Sequence, residues 1–183
     1  MNLWALPKTA VIGSVQYKIN ADYRDVLEII GFLNDVTKPE FMRWQIAISL
    51  FFEGEIPGEH QQEAMEYLAS FISYGDHEKK PGPKLIDWDQ DAQIIVGDVN
   101  KVSGLTDVRD IPFLHWWTFL SYFYSIGEGQ LSTIVSIRSK RAKGKKLEKW
   151  EEAYYKEHKD RIDFKRPKTT EDTAAQEYFS KWL

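Results

Sequence analysis

The segment Phe113–Tyr124, FLHWWTFLSYFY, constrains this chain more than any other. Seven of its twelve residues are aromatic. Side chains of that size carry large apolar areas, so either the fold or a partner must cover them. Read as a helix opened by Pro112, the segment places His115, Thr118, Ser121 and Ser125 on one narrow stripe. Nearly every other position is large and apolar, and a helix apolar almost all round is a buried one. The expected role is the central helix of an α-helical bundle, with His115 a hydrogen-bonded core histidine. A sharper reading makes the segment a partner groove lined by Trp116 and Trp117 beside His115, because tryptophan is enriched at binding hot spots. A membrane span is not expected. It takes roughly 20 mostly apolar residues, whereas the run here is about 15 long and holds the four polar positions just named.

The remainder of the chain is consistent with one domain built around that helix. Its 183 residues are 43% hydrophobic, enough to bury a core. There is no cysteine. That removes disulfides, thiolate metal sites and cysteine nucleophiles, and fits a reducing compartment. Met1–Trp4 has neither the basic start nor the long apolar run of a signal peptide, so no leader is expected.

One strand signal stands out, at residues 10–19. Gly13-Ser14 suits a two-residue hairpin turn, and Val15, Tyr17 and Ile19 alternate with Gln16 and Lys18. Everything after it reads helical. Asn20 or Asp22 caps a first helix with Tyr23, Val26, Leu27, Ile30 and Leu33 inside. Pro39 opens a second, with Phe41, Trp44, Ile48, Phe51 and Phe52 on one side. A third presents Ala64, Leu68, Phe71 and Ile72, and Gly75–Lys84 is the clearest loop. Trp88, Ala92, Ile95, Val99 and Val102 define a fourth helix of roughly 16 residues, ended at Ser103-Gly104. The aromatic helix is the fifth. A sixth carries Leu131, Ile134, Val135 and Ile137, and a seventh Leu147, Trp150 and Tyr154. The expected fold is mainly α: a single-domain bundle of about six to eight helices over residues 1–165, with a short N-terminal β-hairpin. Residues 166–183 read as a linker and a short C-terminal helix with Tyr178, Phe179 and Trp182.

The chemistry-bearing motifs are few. Asp87, Asp89 and Asp91 imitate the start of a calcium loop, but its sixth position is Ala92 instead of glycine and its twelfth is Asp98 instead of glutamate. The same carboxylates suit a helix N-terminus. The four histidines are scattered, no phosphate-binding glycine loop occurs, and no nucleophile, base and orienter assemble. Neither an enzyme nor a cofactor is expected. The net charge of −4 divides unevenly: residues 138–168 hold thirteen Lys/Arg against six Asp/Glu, a net of +7, which leaves −11 elsewhere. Within that part, Arg138, Lys140, Arg141, Lys143, Lys145 and Lys146 form a run without an acid. Phosphate contact would make binding salt-sensitive. The plainer reading is a solvated helix end, favoured because Glu148, Glu151 and Glu152 follow at once. The candidate partner-binding residues are therefore His115, Trp116, Trp117 and those six cations.

Taken in order, these features resemble the bacteriophage gene-product-fifteen family of Gram-positive tailed phages and prophages. The resemblance rests on Tyr17–Arg24, Ile56-Pro57, Phe71-Ile72, Ile86–Ala92, Leu114–Leu120, and Ile137-Arg138 with its basic tail to Trp150. His-Trp-Trp after an Asp-Trp-Asp helix is its most specific combination. Such proteins are usually encoded between the major tail protein and the tape-measure protein. The resemblance therefore implies a tail assembly chaperone in the host bacterial cytoplasm that coats the helical tape measure before tube polymerisation. It implies no catalytic residue. The tape measure, the major tail protein and further copies of the chain are the implied partners. A structural component of the mature tail, or a nucleic-acid-binding accessory protein using residues 138–146, are the alternatives.

Overall fold

The N-terminal ribbon forms where its turn chemistry places it. In the computed structural model, which describes residues 5–75 and 82–165, strands β1 (Thr9–Ile12) and β2 (Val15–Lys18) pair antiparallel, Ile12 opposite Val15. Gly13 and Ser14 take φ of 54° and 68°, the mirror-image turn whose twist suits a hairpin. Alternation sends Ala10 and Ile12 into the core and leaves Thr9 and Val11 outside. A two-stranded ribbon is marginal alone. This one is braced by Glu63, whose carboxylate accepts the Gly13 N–H at 2.9 Å.

Eight helices follow among the described residues: α1 (Tyr23–Asn34), α2 (Glu40–Phe51), α3 (Gln61–Ile72), α4 (Ala92–Ser103), α5 (Trp116–Tyr124), α6 (Gln130–Ala142), α7 (Lys149–Glu157) and the short α8 (Lys159–Ile162). The protein is thus mainly helical with an N-terminal hairpin. Asp22 caps α1 by accepting the Arg24 N–H. Gly104, at φ 70°, ends α4 in the left-handed conformation. Helix α4 is shorter than expected. Asp87 Oδ1 accepts the N–H groups of Asp89 and Gln90, which fixes residues 87–91 as a separate turn ahead of it. The turn of α8 was not expected from sequence. The C-terminal helix expected in 166–183, Trp4, and residues 76–81 of the expected loop lie outside the described residues.

The core is aromatic. Phe51 packs on Phe71 at 4.9 Å between ring centroids, Phe71 on Trp117 at 5.7 Å, and Tyr23 stacks on Phe119 at 4.6 Å. Each fully buried Phe contributes roughly 1.5–3 kcal/mol relative to exposure. A smaller cluster of Ile134, Ile137 and Ile162 lies beneath Leu147, Tyr154 and Tyr155. No helix among the described residues is long and apolar enough to cross a membrane.

The aromatic segment departs from expectation at its start. Helix α5 begins at Trp116, not at Pro112. Residues 113–115 are drawn instead onto the chain ahead of α1. The Tyr23 N–H donates to Leu114 O at 2.9 Å, the Trp116 N–H to Ala21 O at 2.7 Å, and the Leu114 N–H to the Asp22 carboxylate at 2.9 Å. His115 is left as the N-cap, its Nδ1 accepting the Trp117 N–H at 3.1 Å.

Candidate functional site

Three of the nine candidate residues are core. Trp116, Trp117 and His115 are 1%, 2% and 2% exposed. The indole N–H groups donate to the carbonyls that end α3, Trp116 to Ile72 O at 3.1 Å and Trp117 to Phe71 O at 2.9 Å. A groove lined by these tryptophans is therefore absent from this conformation: their faces and their donors are used in closing α5 onto α3. Nor is α5 buried all round, since Ser121 and Tyr124 face solvent, as does Ser125 just past its end. The His115 ring spans two backbone partners. Nδ1 accepts from Trp117, so Nε2 carries the proton and donates to Pro7 O at 2.9 Å. Burial pushes the imidazole pKa below its usual 6.5, against the hydrogen bond to Pro7, which favours the proton.

Three of the six cations are structural. Arg138 is buried, and its guanidinium grips both oxygens of the buried Asp91 carboxylate. Its remaining donors reach the carbonyls of Leu85, Arg161 and Ile162 at 2.7–2.9 Å, and the Phe164 ring lies 4.2 Å from its Cζ. Lys140 donates to both oxygens of Glu151, which is 1% exposed and also accepts the Glu148 N–H. The Lys140 ammonium, followed by that N–H, holds the Glu151 carboxyl below the usual range. Arg141 lies 3.9 Å over the Tyr155 ring and 3.5 Å from Asp163. Lys143, Lys145 and Lys146 remain, exposed and without a carboxylate partner among the described residues. They adjoin Lys149 and Trp150, the latter 58% exposed. The run thus offers a phosphate backbone half the free cations its sequence suggests.

Two of the three aspartates of the loop before α4 are likewise engaged: Asp87 caps its turn and Asp91 binds Arg138. Among the described residues no group of three or more His, Asp or Glu is placed to hold a metal ion.

Sequence alone locates neither of two further surfaces, although Trp44 is, with Trp4, Trp116, Trp117 and Trp182, among the tryptophans it offers as groove candidates. Between α2 and α3, Phe41, Trp44 and Met65 line a cleft of about 380 Å³, rimmed by Glu40, Gln45 and Gln61. Phe41 is 64% exposed, and Val36 and Met42 nearby in sequence are exposed as well. The spacing places Phe41, three residues before Trp44, on the packed side of α2, yet the described residues leave it exposed. The second surface, a cleft of about 570 Å³, lies between α1 and the turn before α4. Leu27, Gly31, Phe32, Trp88 and Ala92 line it together with the carboxylates Glu28, Asp89 and Asp35, the last paired with Lys38. It continues toward Phe164 and Lys165 through a space of about 460 Å³ that shares Leu27, Gly31 and Trp88. The sequence signal that existed was Trp88 opposite the exposed Gly31, which no single-helix pattern joins.

These features belong to a bacteriophage protein. The chain is a member of the family described as Bacteriophage Gp15 protein, whose model matches residues 5–164 and so spans the hairpin and every described helix. No curated protein and no solved structure matches the chain.

Proposed function

We propose that this protein is a non-enzymatic tail-morphogenesis factor, a chaperone that binds the tape-measure protein and keeps it soluble before the tail tube polymerises. The observation that carries the reading is the apolar surface at the N-terminal end of α2. Phe41, Trp44 and Met65 line an open cleft, and Phe41 and Met42 present large apolar area to solvent. Exposed clusters of this kind mark surfaces that partners cover. A tape measure is a long amphipathic helix, and a cleft with aromatic and methionine walls receives such a helix through side chains at i, i+3, i+4 and i+7. Methionine adapts to successive, non-identical segments of one partner. The resemblance supports the partner, since proteins of this kind are usually encoded beside the tape measure.

The test is co-expression with the tape-measure protein of the same genome, with capture through a tag on this chain. Co-purification that is lost in Phe41→Asp, while the variant melts like the wild type, supports the reading. Failure of two folded proteins to co-purify removes it. Mass spectrometry of purified particles separates a chaperone, absent from the mature tail, from a structural component.

A further inference from the structure

We propose that this chain associates head to tail with a second copy of itself. The exposed Trp150 and the lysines beside it on one molecule enter the acidic cleft between α1 and the turn before α4 on the next. The inference stands apart from the tape-measure reading, which uses the cleft between α2 and α3.

The pairing sets an exposed aromatic anchor with lysines beside it against an apolar cleft with free carboxylates beside it. Trp150 is 58% exposed and lies among Lys145, Lys146 and Lys149, none with a carboxylate partner among the described residues, and the exposed Glu148 and Glu152. Aromatic anchors of this kind dominate interfaces when a pocket receives them. The cleft, at about 570 Å³, falls within the roughly 300–1,000 Å³ that holds compact apolar groups. Its lining of Leu27, Trp88 and Ala92 offers an indole an apolar and aromatic seat. The space beside Gly31 is open, since a Cβ built there meets nothing within 4 Å. Of its carboxylates, Glu28 and Asp89 have no ion-pair partner among the described residues. The chain-wide imbalance points the same way: residues 138–168 carry +7 and the remainder −11. Two different patches that fit each other make a heterologous contact, which repeats from copy to copy unless the rotation closes a ring.

Sedimentation velocity of the full chain over a wide concentration range, at low and high salt, reads this directly. The expected result is a mass that rises past the dimer with concentration and falls back as salt screens the contact. Trp150→Ala, which removes the anchor, and Gly31→Arg, which fills the cleft, each weaken association at least roughly tenfold. An equimolar mixture of the two variants restores one interface, from the intact cleft of the first to the intact tip of the second, and stops at a dimer. A wild type that stays monomeric, a wild type that stops at a closed dimer, or a mixture that forms no dimer overturns the proposal. If either variant fails to fold by circular dichroism, the pair Glu28→Lys/Asp89→Lys and Lys145→Glu/Lys146→Glu makes the same test with exposed residues. Tape-measure capture is scored separately through Phe41, so failure of one reading leaves the other standing.

Discussion

Arg138 and Asp91 meet in a buried fork, Nη1 to Oδ2 at 2.6 Å and Nη2 to Oδ1 at 2.9 Å, with side chains 4% and 1% exposed. The pair ties α6 to the turn before α4. Through the carbonyls of Arg161 and Ile162 it also ties both to α8. Removing one partner leaves a buried charge uncompensated, which costs about 3–5 kcal/mol. Arg138→Ala is therefore expected to lower the melting temperature by roughly 2–4 °C for each kcal/mol lost. Arg138→Lys should recover little, because an ammonium has three donors in no fixed fork and the guanidinium here satisfies five acceptor atoms. Thermal denaturation of both variants is the check. A melt like that of the wild type contradicts the clamp.

His115 supplies a pH dependence with a definite sign. Its unfolded pKa is the ordinary 6.5, and burial sets the folded value lower. Just below pH 6.5 the unfolded chain binds more protons than the folded one. Stability is therefore complete above that pH and is lost as pH falls toward the folded pKa, where the slope ends. The physical cause is burial, which disfavours the charged imidazolium, and a proton on Nδ1 would also face the Trp117 N–H donor. His115→Asn keeps a capping acceptor but lacks the titration. Urea midpoints measured across this window should slope for the wild type and be flatter for the variant.

Glu151 gives a second window, at lower pH. Its carboxyl, ordinarily near 4.5, is held down by Lys140 and the Glu148 N–H. Its stabilising effect is present above pH 4.5 and is lost as pH falls through the folded value. Glu151→Gln should be less stable at neutral pH and should lose less on acidification. Hydrogen exchange over α7 reports it, with faster exchange expected in the variant.

The two tryptophans separate folding from binding. Trp116→Phe removes the donor to Ile72 O and costs about 1–3 kcal/mol. Trp117→Ala opens a cavity in the aromatic core and costs about 3–5 kcal/mol. Any loss of partner capture in these variants should track the melting temperature. Loss of capture with an unchanged melt would contradict their placement as core.

Legibility in the sequence follows the range of the interaction that decides each feature. The hairpin was legible because Gly13-Ser14 and the alternation after it are local. The start of α5 was not: its hydrogen bonds run to Ala21, Asp22 and Tyr23, 92 residues away for Leu114 and Asp22, and nothing within 113–115 announces them. Arg138 left a readable trace. It lies four residues after Ile134 and seven after Leu131, on the buried stripe of α6, and Asp91 lies four before Ile95 on that of α4. A charge on each of two apolar stripes implies a buried pair, but the run of cations around Arg138 hid it. Phe41 shows the reverse case, an apolar residue with correct periodicity that no described residue covers.

The most direct test of the chaperone reading is the soluble fraction of the tape-measure protein when it is expressed alone, with this chain, and with Phe41→Asp. The account predicts that the wild type moves the tape measure from the pellet to the supernatant and leaves with it on gel filtration, and that the variant, although folded, does neither. A tape measure equally soluble in all three, with no shared peak, would contradict it.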